Sequence, residues 1–580
     1  MKHLFIKSLI ALMTASMPFI ASAQNFMSGG IGYHILSTDD NTVEVTVKRN
    51  CTPYSGNINI PSTVTYNGTT YDVVALGEKA FSEASLSGIT IPSSVKRIKF
   101  GCFQFAHSPS TINVPASVTD IEALAFAAFN LTNINVDENN PNYRSIGGLL
   151  FSNDTSTIVE CPMSKNGVVT LPQSTRYIAP YAFAYCQNIT NVVLHEGLFS
   201  IGYWAFVYNQ RLNNIAIPSS VTHIDASPFV NCPALTNLSI AEGNTHYYLD
   251  GVMIYSADGD TLISAHKSAD SVFLSSTLRV VNGFGGNSDV RYVHVPDGVT
   301  TIGNEAFNGS SLVSIDLPSH LDFIDEYAFY YCQSLTRVGM PTTLDTMGEG
   351  CFKYCNQLTS IDIPNDLRTI PEYAFFMCTT LSNITWGDAV EVIDTAAFGD
   401  CSFTELTLPP TLRAIREVAF IGDYNGRLGK VVFSAPVDTI EMEAFYSQSL
   451  SMMQLKNSLP PVTTDDGCLD GANVDTILIP CGSLNAWLAD SYWGQFADKY
   501  REDCSDIDDV YHDNIKISSQ GNLISIQGIQ GESVYVFDAV GRQLYHTANA
   551  SDIETVNVPS EGVYIVKVGS NRAKKIVVMK

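Results

Sequence analysis

A phenylalanine preceded by a small residue returns every 22 or 23 residues over most of this chain, and no other feature restricts its fold so severely. The landmark stands at Phe81, Phe103, Phe126, Phe183, Phe206, Phe229, Phe284, Phe307, Phe329, Phe352, Phe375, Phe398, Phe420 and Phe445. Five residues before most of these rings lies an aliphatic residue, as at Ile201, Ile302, Ile324, Ile370, Ile393, Ile415 and Ile440. The rest of the unit reads as in Leu335-x-x-Val338-x-Met340-Pro341 or Leu358-x-x-Ile361-x-Ile363-Pro364. The alternation in Ile361-Asp362-Ile363 has a period of two, which marks a short strand with one buried face, and the proline stops it. So short a strand cannot bury its face alone, but stacked copies pair their backbones and merge their apolar rows into one core. The expected fold is a solenoid with a parallel sheet on one face and short helical or irregular turns on the other, each ring filling the space between coils.

These residues resemble the BspA-like leucine-rich repeats of bacterial surface proteins, whose pattern Ile-x-x-x-Ala-Phe-x-x-Cys-x-x-Leu-x-x-Ile-x-Ile-Pro is followed from about residue 50 to 480. The resemblance implies a leucine-rich-repeat solenoid at the cell surface, in a family linked with adhesion to host or bacterial partners. It implies no single ligand.

The ends carry their own signals. Lys2 and Lys7 precede an apolar stretch from Ser8 to Ile20 and then Ala21-Ser22-Ala23, which marks 1–23 as a signal peptide and Gln24 as the first mature residue. No later run is long and apolar enough to span a membrane. A solenoid needs capped ends. The segment 24–75 reads as an N-terminal β-hairpin cap, with turns at Asp39-Asp40-Asn41 and Asn67-Gly68. The repeats are expected over 76–480, a cap helix over 481–501 from Leu484, Trp487, Leu488, Tyr492 and Phe496, and an acidic linker over 502–514. Two coils are longer: Ile134 and Val169 are 35 residues apart, and Leu238 and Val272 are 34 apart. The extra segments, Tyr143 to Pro162 and Tyr247 to His266, read as hairpins projecting from one edge.

The outward row of the sheet is mostly small and polar, as at Thr90, Asn113, Asn135, Ser239, Asp316, Gly339 and Asp362. Phe273, Tyr292 and His294, on two neighbouring coils, depart from it and are the candidate binding residues, able to anchor a protein hot spot or a sugar ring. Of 13 cysteines, Cys186, Cys232, Cys332, Cys355, Cys378 and Cys401 fall three residues after the landmark ring, where Ala84, Asn209 or Ser310 stand in other coils. That column selects small size, so these are expected as buried thiols. Cys481 and Cys504 flank the cap helix and are the candidate disulfide. No zinc spacing, nucleophile elbow, phosphate loop or calcium loop occurs, so no catalytic residue, metal or cofactor is expected and the chain is not expected to be an enzyme. With 32 basic against 58 acidic residues the net charge is −26, which argues against nucleic acid as a partner.

From 515 to 580 the period gives way to short strands with turn signals, the pattern of a small antiparallel sandwich. This module resembles the C-terminal sorting domain of the type IX secretion system of Bacteroidota through Val536-Phe537-Asp538-Ala539-Val540-Gly541-Arg542, Gly562-Val563-Tyr564-Ile565-Val566-Lys567-Val568 and the basic Lys574-Lys575. The resemblance implies passage through the periplasm to the cell surface or beyond, with the secretion machinery as a partner and Asp538, Gly541, Gly562, Tyr564, Lys567, Lys574 and Lys575 as motif residues. The expected function is a surface binding protein, an adhesin that contacts a protein on host or neighbouring cells. A polysaccharide-binding protein and an inert surface component are the alternatives.

Overall fold

The structure is a computed structural model that describes residues 26–48, 52–265, 267–422, 427–464, 467–504, 515–569 and 572–578. The leader, Cys51, His266 and most of the acidic linker lie outside the described residues. Two compact units divide between Leu358 and Thr359.

The first unit opens with antiparallel strands Phe26–Ser28, Ile31–Ser37 and Thr42–Thr46. A second hairpin, Thr63–Tyr66 with Thr69–Leu76, turns at Asn67 and Gly68, both at positive φ (49° and 84°), as a two-residue turn of this hand requires. Thr69–Leu76 then pairs in parallel with Arg97–Ile98, and that strand with Asp120–Ile121. The cap therefore hands its pairing edge to a row of two-residue strands. Each of these places its aliphatic residue inward, and Ile98, Ile178, Ile201, Ile302 and Ile324 are all buried. The sequence marked these aliphatic positions but not that they form a second ladder.

The longer strands make the sheet, and the phenylalanine turns make the opposite wall. Most of the rings' N–H groups donate to the carbonyl of the small residue one coil on, as in Phe81 to Cys102, Phe103 to Ala125, Phe183 to Ala205, Phe307 to Ala328 and Phe329 to Cys351, at 2.7–2.9 Å. The rings stack face to face with centroids 5.0–5.8 Å apart. The turn takes residues two before and two after the ring through the left-handed region, as at Tyr327 and Tyr331 (φ 54° and 57°) or Tyr181 and Tyr185 (61° and 60°). Side chains avoid that region at a cost on the order of 1 kcal/mol. The wall ladder holds them there.

The residue three after the ring does more than fit. Cys232 Sγ donates to the Phe206 carbonyl (3.0 Å), Cys332 to Phe307 (3.0 Å) and Cys355 to Phe329 (3.1 Å). Asn209 Nδ2 does the same to Phe183 at 2.9 Å. The column thus favours a small donor that satisfies the preceding coil's carbonyl, and size alone explains only part of it.

The two long segments do not project. Tyr143–Ile146, Leu149–Ser152 and Thr157–Glu160 form an antiparallel trio that joins the short-strand row through Tyr177–Ile178. Tyr247–Asp250, Met253–Ser256 and Thr261–Ala265 repeat the arrangement and pair onward with Val280–Val281. Leu150, Phe151, Ile254 and Leu262 lie in the core, because antiparallel strands with Leu, Ile and Phe on one face must bury it. In these coils the ring is missing: Cys161 and Ala265 occupy its place and donate their N–H groups to Ala182 and Gly283. The flanking turns then close on each other, Phe105 edge-on to Tyr185 across the first gap and Gly286 against Val230 across the second.

At the first gap the Phe126 N–H finds the carboxylate of Glu160 instead of a main-chain carbonyl, with Oε1 at 3.0 Å and Oε2 at 3.2 Å. Glu160 is buried, and desolvation pushes its pKa up to about 8 against the lowering effect of the Phe126 bond.

In the second unit Phe375, Phe398, Phe420 and Phe445 form a wall of the same kind, stacked at 5.3–5.7 Å. Its main sheet runs in parallel through Glu405–Leu408, Lys430–Phe433, Met452–Gln454, Ile477–Pro480 and Tyr500–Asp503. Between the last two strands lie the helix Leu484–Ala489 and a 3-10 turn Trp493–Phe496. Trp487 and Trp493 are fully buried, with their Nε1–H groups on the Asn457 and Pro461 carbonyls. A Cys481–Cys504 disulfide ties the two ends of this cap. The expected cap helix is therefore one short helix within a cap that ends in a further sheet strand. Glu502 and Asp503, assigned from sequence to the linker, belong to that strand.

The terminal module is a sandwich of a three-stranded antiparallel sheet (Lys516–Gln520, Leu523–Gln527, Ile553–Asn557) and a four-stranded one (Gln543–Thr547, Val534–Asp538, Gly562–Val568, Arg572–Val578). Its core gathers Ile524, Ile526, Val534, Val536, Val556, Tyr564, Val566 and Val568.

Candidate functional site

Four strands of the first unit, Ser271–Phe273, Tyr292–His294, Ser314–Asp316 and Arg337–Gly339, pair in parallel with no register shift. Alternation turns Val272, Val293, Ile315 and Val338 into the core and leaves two outward rows. One row is Ser271, Tyr292, Ser314 and Arg337; the other is Phe273, His294, Asp316 and Gly339.

All three candidate residues meet in these rows. The Phe273 and His294 rings stack at 4.0 Å with 6° between their planes. Tyr292 stands two residues from His294 on the same strand. Phe273 is 77% exposed and Tyr292 41%. Phe273 is so open because the inserted strands end the preceding sheet at Asn237–Ile240 and a new sheet starts at Ser271, leaving its ring a neighbour on one side only. Beyond the aromatics, Arg337 Nη1 pairs with Asp316 Oδ1 at 2.8 Å, and just before the strands Arg291 Nε pairs with Asp270 Oδ1 at 3.3 Å. Gly339 leaves the space Asp316 occupies, since a Cβ there would fall 2.3 Å from its Oδ1. Both ion pairs are exposed and contribute little stability. Their value is chemical: two guanidinium groups flank three aromatic rings. The arginines were not singled out in the sequence, although Arg337 shares the outward parity of Gly339.

The sorting-motif residues lie in the terminal sandwich. Asp538 accepts hydrogen bonds from the Arg542 main-chain N–H (2.8 Å) and Nε (3.0 Å), closing a turn that carries Gly541 at φ 79°. Tyr564 is buried, and its hydroxyl donates to the Ser560 carbonyl at 2.7 Å. Gly562 and Lys567 lie on the strand Gly562–Val568, whose partner strand places Lys574 opposite Val566 and Lys575 opposite Ile565. Gly541 and Lys567 line one cleft of about 600 Å³ together with Gly482, Leu484 and Glu502, whereas Asp538, Gly562 and Tyr564 shape the turns and strands around it. Among the described residues no group of three or more His, Cys, Asp or Glu side chains is placed to hold a metal ion, and no helix is long and apolar enough to cross a membrane.

A family model for the BspA type leucine rich repeat region matches residues 74–166, 161–251, 281–402 and 368–486, and one for a domain of unknown function matches 505–578. No curated protein matches the chain. Solved structures that resemble it include a leucine-rich repeat protein from Eubacterium ventriosum (20% identity, 68% of this chain and 93% of that one, TM-score 0.40). Another comes from Bacteroides ovatus (19%, 83% and 100%, 0.37), and a leucine rich cell surface protein comes from Faecalibacterium prausnitzii (21%, 70% and 94%, 0.33).

Proposed function

The chain belongs to the BspA-type leucine-rich repeat family, and from that premise we propose that it is an exported surface protein that acts by binding rather than catalysis, its sheet face docking on a protein of a host or neighbouring cell. The observation that carries this reading is the exposed cluster of Phe273, Tyr292 and His294 between Arg291 and Arg337. Protein interfaces concentrate their energy in aromatic and arginine side chains, whereas the rest of this face is small and polar. Export is supported by the signal-type pattern of residues 1–23, and delivery to the surface by the sorting-type motifs of the sandwich.

Two experiments test the proposal. Capture on immobilised matrix and cell-surface proteins should weaken about tenfold or more on Phe273→Ala, while the melting temperature stays unchanged; a partner bound equally well by the variant refutes the site. Removal of everything from Asn514 onward should leave the chain in the periplasm, and unchanged surface labelling refutes the sorting role.

A further inference from the structure

Far from the aromatic cluster, a cleft of about 400 Å³ lies over the last residues of three early coils, lined by Ile89, Thr90, Ile91, Asn113, Val114, Pro115, Asn135, Val136 and Asp137. Its volume is in the range of small-ligand sites. The floor is apolar: Ile91 and Val114 are buried, Ile89 and Val136 partly so. Its rim is uncharged apart from Asp137. Asn135 Nδ2 donates to Asn113 Oδ1 at 3.3 Å, and Thr90 Oγ1 to Asn59 Oδ1 at 2.9 Å. That leaves the Asn113 amide N–H₂ and the Asn135 carbonyl oxygen without a protein partner among the described residues. Asp137 spends Oδ1 on the Asn139 main-chain and side-chain N–H groups and keeps Oδ2 free.

The cleft exists because the sheet is interrupted there. Ser55–Asn59 pairs with Ser85–Thr90, and Thr111–Val114 with Asn133–Val136, but no ladder joins the two pairs. The coils are nonetheless fastened on both sides of the break. Leu86 N–H donates to the His107 carbonyl at 2.7 Å before it, and Thr119 N–H to the Lys96 carbonyl at 2.8 Å after it. The strands are thus held near one strand spacing, whereas an inserted peptide strand needs about twice ~4.8 Å. A comparable break in the second unit, between Asn383–Thr385 and Glu405–Leu408, is bridged from within by Trp386, whose Nε1–H donates to the Thr407 carbonyl at 2.8 Å. A flat ring with a donor is therefore the kind of group such a break accepts. No aromatic, arginine or lysine lines the early cleft, so it lacks the residues that anchor a protein and those that attract an anion.

We infer that this cleft binds a neutral carbohydrate unit. A pyranose ring offers an apolar C–H face to Ile89 and Val136, the partly exposed apolar residues of the cleft, and hydroxyl groups at its edge. The Asn113 amide donates to one hydroxyl oxygen, and the Asn135 oxygen and Asp137 Oδ2 accept from others. The site stands apart from the aromatic platform, so a surface protein built this way engages a glycan and a protein with different sheets of one unit.

The test is calorimetric titration of the full-length protein with cellohexaose, laminarihexaose and mannohexaose, with heparin hexasaccharide as the anionic probe and an unstructured Gly-Ser-Thr peptide as the polypeptide probe. At least one neutral hexasaccharide should bind, Asn113→Ala with Asn135→Ala should weaken it about tenfold or more, a loss of roughly 1.4 kcal/mol, and Phe273→Ala should leave it unchanged. All these residues are exposed, and a thermal melt matching the parent confirms the fold; Asn113→Ala alone serves as a second rim variant should the double variant melt early. Binding of no neutral hexasaccharide, tighter binding of heparin or of the peptide, or neutral binding that survives the rim variants overturns the inference. Loss of glycan binding on Phe273→Ala would overturn it too, by moving the site to the platform.

Discussion

Glu160→Gln isolates one proton in the first unit. Glu160 sits where the coil without a ring offers no main-chain carbonyl, and its carboxylate receives the Phe126 N–H in full burial. Desolvation raises its pKa from 4.5 to about 8. The unfolded chain releases this proton near pH 4.5 while the folded chain retains it, so between these values the native state binds more protons and stability falls as pH rises. At 1.36 kcal/mol per pH unit the loss over that window approaches roughly 5 kcal/mol, with full stability present below pH 4.5 and none further lost above about 8. Glutamine keeps an acceptor for Phe126 and cannot ionise. The stability of Glu160→Gln minus that of the parent should therefore climb by about 4–5 kcal/mol from pH 4.5 to 8. Urea unfolding followed by the emission of Trp204, the only tryptophan before Leu358, reads this unit. All other titrating groups cancel in the difference. A difference that stays flat within about 1 kcal/mol across that range would refute the buried, protonated acid.

Other consequences are quicker to check. Phe329→Ala removes a ring stacked between Phe307 and Phe352 and should cost about 3–5 kcal/mol by urea unfolding, since neighbouring coils cannot collapse onto the void. Cys332→Val deletes the donor to the Phe307 carbonyl and should destabilise by about 1–3 kcal/mol, more than Cys332→Ser, which retains a donor. Burial pushes the Cys332 thiol up to about 12, so a maleimide should leave it unlabelled at pH 8 until the chain unfolds. Ala396 is held at φ 52° with the turn wall around it; Ala396→Gly should raise stability by up to about 1 kcal/mol, against the usual cost of glycine, because the strain it relieves exceeds the entropy it adds.

The repeat was legible because it is periodic: rings in one register predict a stacked wall, and within each unit the structure stacks successive rings, with breaks at the two inserted coils. The outward parity of Phe273, Tyr292 and His294 was legible for the same reason, since a strand's alternation assigns every residue a face. What depended on long-range closure was not. The row of two-residue strands is too short to announce itself; each exists only because a copy lies beside it. The donor role of Cys232 or Cys332 is hidden in the one-dimensional pattern, where cysteine, asparagine and alanine look alike in size. The inserted segments look like projections in the sequence because their strands are visible there and their partner is not. Glu160 carried no local signal at all, as its importance comes from the Phe126 N–H of a different coil.

The insertions also explain where the binding face is uneven. Each replaces a ring-bearing turn by extra strands, which diverts pairing into the short-strand row and stops the main sheet. A new sheet then begins with a strand that lacks a neighbour on one side. The first outward apolar residue of each new sheet is conspicuously open: Val168 is 61% exposed after the first insertion and Phe273 77% after the second. Open sheet ends invite pairing with foreign strands. At the first break the hairpin limits this by placing its own turn on the outgoing strand, where the Gly148 carbonyl accepts from the Ile134 N–H; a larger residue is strained there, because φ is 81° and a Cβ would fall 2.3 Å from Asn133 Oδ1. Gly148→Ala should therefore unseat that turn and expose the Asn133–Val136 edge, detectable as faster amide exchange at Ile134. Unchanged exchange there would show that the edge is protected by something other than the hairpin.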